Sequence, residues 1–359
     1  MIKTLWIKSF RCLTELTLDF TQSKFISIIS ENNVGKTSVL EACHILSHLK
    51  SFVTSDIREI IPFSGNSVMM GIKIENNRRD KNYYLKINRE GKKFISVDQH
   101  VVKRKSDIES LFRSVYISSD SLHLITTTPK FRRDEIDSMI SQISISYRTN
   151  YAHYRKLINQ KNKALKHGAG DAVLYHLNEQ IVQFMIEIMK ERYHYISKLI
   201  EKMCLLFNKI HSVRGVLSIS YKPTMVYDKQ PQVIIDTLRE ALPKERVLKA
   251  SILGPHREDY EFLIDGKLCK NFYSRGVCRI VSYLFYIAKA MIIAEKTRLP
   301  MLLLLDEPFS EIHINLKKQL FEYIPKSFFI MYTSTQLDEI SSMNPDSLFS
   351  IEHGELCRR

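Results

Sequence analysis

The stretch Pro300 to Glu311, PMLLLLDEPFSE, restricts the possible folds more than any other part of the chain. Met301 to Leu305 is an unbroken apolar run of strand length, which reads as a strand of a parallel sheet buried on both faces. It stops at Asp306-Glu307-Pro308. In open α/β sheets ligands bind beyond the carboxyl ends of the strands, and this run would place two carboxylates there. A strand end carrying helix-capping acids is the plain alternative. The choice depends on what else the chain brings to that end.

One segment qualifies. Ser30-Glu31-Asn32-Asn33-Val34-Gly35-Lys36-Thr37-Ser38 sits between the apolar FISII and the amphipathic VLEACHILSHL, and so between an expected strand and an expected helix. Backbone amides of a tight loop and of the helix start that follows can cradle phosphates. Lys36 would then reach the β- and γ-phosphates, and the Thr37 hydroxyl would ligate Mg²⁺. Ser30 stands where the phosphate-loop pattern has its first glycine. With such a loop, leucines ending in Asp306-Glu307 resemble the Walker B strand of an ATPase. Asp306 would hold the magnesium and Glu307 would polarise the attacking water. Tyr273-Ser274-Arg275-Gly276-Val277 opens another helix shortly before that strand. A serine and a glycine at a helix start can bind a γ-phosphate, and the placement resembles the signature motif of ATP-binding-cassette ATPases.

Around these motifs the chain changes character twice. WIKSF, LTELTLDF and KFISIIS read as strands, and residues 66–96 as a meander of three more. Residues from about 132 to 211 read as helix and include YRTNYAHYRKLINQKNKALK, with basic residues at 148, 155, 156, 161, 163 and 166. Asp171 is placed to cap the next helix. That helix carries apolar residues at three-and-four spacing, interrupted at Glu191, which suits two long antiparallel helices. The expected architecture is α/β: a head with a mixed sheet and a parallel phosphate-loop core, formed by 1–130 and 251–359, with a helical arm at 131–250 inserted in it.

Charge enters as a question of partners. Lys plus Arg number 53 against 39 Asp plus Glu, a formal charge of +14 that favours polyanions, nucleic acid before acidic membranes. The six cysteines (Cys12, Cys43, Cys204, Cys269, Cys278, Cys357) form no CxxC pair, so neither a zinc site nor a disulfide framework is expected. No secretory signal and no membrane-spanning run is read, and the expected location is the cytoplasm. His44 and His48, four apart, read as a helix face rather than zinc ligands. The tyrosines of YRTNYAHY read as helix packing rather than base stacking.

Gly254-Pro255-His256-Arg257-Glu258-Asp259 followed by YEFLIDGK, then SRG, then the Asp306-Glu307 strand, resembles the RecF family, related to the SMC ATPases. IKSFRCLTELTLDF, GKTSVLEACHILSHLKSF and VYISSDSLHLITTTPKFRRDEID resemble it too, the last through Asp120, Pro129, Arg132, Arg133 and Asp137. The motifs recur in family order over most of the chain. The resemblance implies an ATP- and Mg²⁺-dependent homodimer in which Ser274, Arg275 and Gly276 of one copy close over the nucleotide of the other. It implies binding to double-stranded DNA near single-strand gaps, and work with RecO and RecR to load RecA in repair, recombination and the SOS response. Turnover would be slow. The chain departs from the family pattern at Ser30, Val277, His313 and Lys50 to Val53. The alternative is therefore a relative that binds DNA and partners without significant turnover. A nuclease-coupled ATPase of the overcoming-lysogenisation type is set aside, because the stretch after Glu311 is short for a nuclease domain.

Overall fold

The computed structural model describes residues 1–76, 79–102, 111–210, 213–225, 230–309, 312 and 314–359. Ser310, Glu311 and His313, all named from the sequence, lie outside the described residues. By contacts the chain forms two units: Met1–Leu122 with Ala290–Arg359, and His123–Lys289.

In chain order the first part carries β1 (Ile2–Phe10), β2 (Leu13–Asp19), β3 (Phe25–Ile29), α1 (Lys36–His48), β4 (Ser67–Asn76), β5 (Arg79–Asn88), β6 (Lys93–Val97), β7 (His100–Val101) and β8 (Arg113–Ser118). The middle carries α2 (Pro129–Ile143), α3 (Ile145–Lys166), α4 (Asp171–Phe207), β9 (Leu217–Lys222), α5 (Pro231–Glu240), α6 (Leu242–Leu248), β10 (Asp259–Ile264), β11 (Lys267–Leu268), α7 (Cys269–Phe272) and α8 (Arg275–Thr297). The last part carries β12 (Met301–Asp306), α9 (Ile314–Glu322), β13 (Phe329–Ser334), α10 (Leu337–Ser341), β14 (Ser347–Glu352) and β15 (Glu355–Arg358).

The first unit is two six-stranded sheets with α1 between them. One is antiparallel, in the order β2-β1-β4-β5-β6-β7; the other runs β15-β14-β3-β13-β12-β8 and is parallel except for β15. The period-two burial of a half-covered sheet is seen in Tyr83, Leu85 and Ile87 of β5. α1 is apolar on several sides, with Val39, Leu40, Ala42, Cys43, Ile45 and Leu46 all fully buried, and this suits a helix enclosed by sheets. β12 is the doubly buried strand expected. Leu302 and Leu304 belong to the core shared with α1, and Met301, Leu303 and Leu305 are buried on the other face. Each such side chain contributes about 1.5–3 kcal/mol by leaving water. With a period of two, Asp306 emerges on the α1 side.

The second unit pairs α3 with α4 in antiparallel fashion, and adds a three-stranded sheet in the order β11-β10-β9. Two sequence expectations change here. The unit reaches to Lys289 instead of stopping near 250, because β9 pairs with β10 across the intervening helices, from Leu217 opposite Ile264 to Lys222 opposite Asp259. Asp171 does not cap α4: Gly170 holds the cap position, and Asp171, in the first turn, accepts from Arg246 at 2.5 Å. The apolar spacing is interrupted at Glu191 within a single helix of 37 residues. The apolar spacing lapses because Arg192 points into the core. Its guanidinium is fully buried and donates to Asp137, to Glu258 and to the Pro255 carbonyl.

α8 is long and apolar enough to cross a membrane, contrary to expectation, and 78% of its most apolar window is buried in protein.

Candidate nucleotide site

The loop after β3 turns into α1 at Gly35, whose φ of 111° lies in the left-handed region. A Cβ there would stand 2.8 Å from Cys12 Sγ and 3.0 Å from a Leu13 methyl, so both conformation and space require glycine. Ser30, at the missing first glycine, has no positive φ and carries no such strain. Its hydroxyl donates to the Ile351 carbonyl at 3.1 Å and accepts from the Ile351 amide at 3.2 Å, seating the loop on β14.

Lys36 is buried beneath this loop. Its Nζ donates to the carbonyls of Ser30 (2.7 Å) and Glu31 (3.0 Å), reaches Asn32 Oδ1 at 3.5 Å, and lies 3.2 Å from Glu307 Oε1. Asn33 is left-handed at φ 67°. The Val34 carbonyl accepts the Cys12 thiol at 3.8 Å.

The other half of the site is built on the strand ends. Thr37 Oγ1 donates to Asp306 Oδ2 at 2.9 Å, although the two are far apart in sequence. The same oxygen accepts the Tyr116 hydroxyl at 2.9 Å, and Asp306 Oδ1 accepts Thr333 Oγ1 at 2.6 Å. β8 and β13 flank β12 in register, with Ser118 and Thr333 opposite Asp306 and Tyr116 opposite Leu304, so neighbours on both sides reach the carboxylate. Burial, and then the Asp306 charge, push the Tyr116 phenol well above its ordinary value and keep it a proton donor. Glu307 turns away at φ 46°, its amide donating to the Thr333 carbonyl at 3.2 Å.

These groups open on a cavity of about 480 Å³ walled by the phosphate loop, Thr37 and Ser38, Asp306 and Glu307, Cys12, and Ser118 to Asp120. Its polar lining suits an anion. The Thr37 hydroxyl and the Asp306 carboxylate are all-oxygen donors of the kind Mg²⁺ takes, and Thr37 keeps its lone pairs because its proton is given to Asp306.

Of the expected nucleotide-site residues, the structure brings Asn32, Asn33, Gly35, Lys36, Thr37, Ser38, Asp306 and Glu307 to this cavity, while Ser30, Glu31 and Val34 line a separate pocket with Ile351 and Glu352. Ser274, Arg275 and Gly276 belong to the other unit. They are exposed at the start of α8, where Ser274 Oγ accepts the Val277 amide at 3.3 Å. Sequence reading did not assign Tyr116, Thr333 and Cys12 to the site, although Cys12 and Tyr116 lie in stretches that carry the family resemblance; strand order brings Tyr116 and Thr333 to Asp306, and Cys12 lines the cavity.

The Gly254–Asp259 motif, ambiguous as chemistry, is a junction of the helical unit in which Glu258 is fully buried and Arg257 exposed. Arg132 grips Asp259 through Nε at 2.8 Å and Nη2 at 2.9 Å, Arg133 donates to the Glu258 carbonyl, and Arg192 joins Glu258 to Asp137. The basic helix α3 also needs correction. Arg155, Lys156, Lys163 and Lys166 are exposed, but Lys161 is buried against Glu245 at 2.7 Å, where burial lowers its pKa and Glu245 opposes the shift. His44 and His48 stack on one another with ring centroids 4.1 Å apart.

The AAA domain family matches residues 4–238. The DNA replication and repair protein RecF of Lachnoclostridium phytofermentans is 27% identical, with 99% of this chain and 98% of that protein covered. RecF of Clostridium botulinum (strain Alaska E43 / Type E3) is 28% identical over 99% of both. Among solved structures, the recombination mediator protein RecF-ATPrS in the RecFOR pathway superposes with a TM-score of 0.89 at 26% identity, covering 100% of this chain and 98% of the other. An SMC head bound to a winged-helix domain of ScpA, at TM-score 0.58 and 15% identity over 100% and 96% of the two chains, shares the fold. The chain belongs to the AAA domain family, and over its full length it is similar to RecF proteins.

Proposed function

We propose that this chain is a RecF-type protein of DNA replication and repair that binds ATP with Mg²⁺ and is gated by it on DNA. One observation supports the reading above others: Lys36, Thr37, Asp306 and Glu307, distant in sequence, meet in one polar cavity. Loop amides and Lys36 would hold the phosphates; Thr37 and Asp306 would hold the cation, which supplies charge neutralisation on the phosphates. Lys36 must exchange the loop carbonyls and Glu307 for phosphate oxygens, which frees Glu307 to orient water. Ser274 to Gly276 of a second copy would complete the site, making the homodimer ATP-dependent. The exposed bases of α3 would contact duplex DNA near single-strand gaps, where RecO and RecR are the expected partners in loading RecA, in the cytoplasm.

Lys36→Ala is expected to abolish ATP-dependent dimerisation in sedimentation while leaving weak, salt-sensitive DNA binding. Dimerisation by the variant equal to the native chain rules the mechanism out. A second reading, binding without turnover, is favoured by the engagement of Glu307 with Lys36 at 3.2 Å. Phosphate release above that of Glu307→Gln excludes it.

A further inference from the structure

A carboxylate at a strand end can rotate about its side chain, yet Asp306 receives three hydroxyl donors from three elements. Thr37 comes from the phosphate-loop helix and Thr333 from β13. Tyr116 comes from β8, the strand on the opposite side, so without it the carboxylate is held from one flank only. The phenol is itself fixed. Its ring stacks on Phe52 with centroids 3.7 Å apart and planes 18° from parallel, and Phe52 meets His44 edge-on at 5.2 Å. Phe52 lies in the Lys50–Val53 stretch, where the chain departs from the family pattern, so packing of that segment connects to the carboxylate through one ring.

We propose that Tyr116 is a positioning residue for Asp306, holding its carboxylate where Thr37 and Asp306 together take the divalent cation. The proposal rests on the reading of the cavity as a nucleotide–magnesium site. Thr37 can give its proton to Oδ2 and still offer lone pairs outward. Tyr116, which also lines the cavity, donates to that same oxygen from β8, so its hydrogen bond fixes orientation without taking the Thr37 lone pairs. Losing it leaves the carboxylate free to turn toward Thr333 or solvent, and the cation then bears the cost of reordering it.

Tyr116→Phe removes one oxygen and keeps the ring that packs on Phe52, so the fold is retained. ATP affinity is measured by calorimetry on the full chain, in EDTA and in Mg²⁺, with Mn²⁺ binding followed separately by electron paramagnetic resonance. The expected result is unchanged affinity in EDTA, with the gain conferred by Mg²⁺ and the Mn²⁺ affinity each reduced roughly tenfold or more, as for one hydrogen bond to a charged group. Thr37→Ala serves as the control that loses the cation-dependent gain outright. A Tyr116→Phe protein with the native Mg²⁺ gain and Mn²⁺ affinity, beside a defective Thr37→Ala, overturns the positioning role and leaves the nucleotide site standing. A native chain whose ATP affinity ignores Mg²⁺ overturns both.

Discussion

His256 shows how one residue of a motif acquires its chemistry from surroundings that the motif does not encode. Its Nδ1 lies 2.6 Å from the Tyr154 hydroxyl and its Nε2 3.2 Å from the Ser251 carbonyl, an arrangement satisfied by the neutral ring with its proton on Nε2. Burial, with smaller contributions from Arg257, Arg133 and Lys161 and opposed by the Ser251 hydrogen bond, lowers its pKa to about 4. The unfolded chain protonates this residue near its ordinary value of 6.5. As pH falls from there toward 4, the unfolded state takes up the proton first and stability is lost. Between pH 7 and pH 5 the native chain is expected to lose about 2 kcal/mol through this group. His256→Asn should remove that part of the slope, as urea unfolding at the two pH values will show; an unchanged slope contradicts the assignment. Ser30 makes the complementary point. It is a departure from the loop pattern when read in sequence, and an unstrained residue bonded to Ile351 in the fold.

Among the elements, α4 depends on a charge. Arg192 satisfies Asp137 through two nitrogens at 2.9 Å and Glu258 at 2.7 Å, and Tyr147 and Tyr221 donate to the same carboxylates. Arg192→Leu would strand two buried carboxylates and is expected to destabilise the chain by about 3–5 kcal/mol in urea unfolding. Arg192→Lys should recover little, because an ammonium cannot reproduce the fork. Near-native stability of the leucine variant would mean that the carboxylates protonate at small cost. The lapse in periodicity at residue 191 was visible in the sequence, but its reason was not: Arg192 meets residues from α2 and from the turn before β10. Likewise, helical spacing located α3 and its bases. It could not distinguish Lys161, committed to Glu245, from the exposed Lys163.

For the whole molecule, the formal charge of +14 is an electrostatic statement that the fold sharpens into a surface. Replacing Arg155 and Lys163 together by Gln should lower the slope of log binding constant against log salt by about 2 for duplex DNA, close to one unit per lost phosphate contact. Titrations between low and moderate salt test it, and an undiminished slope excludes these two side chains as phosphate contacts. By itself the sequence determined the apolar strand ending in Asp306-Glu307, the loop before α1, and the alternation of strand-rich and helix-rich stretches. These follow from side-chain periodicity and short-range backbone sterics, which residues close in the chain already express. Only the tertiary structure decided that β13 lies between β3 and β12 with β8 on the far side, and hence that Thr333 and Tyr116 reach Asp306. It also decided which charges are buried. Strand order and long-range pairing arise from the packing of whole faces, and no local pattern carries that information.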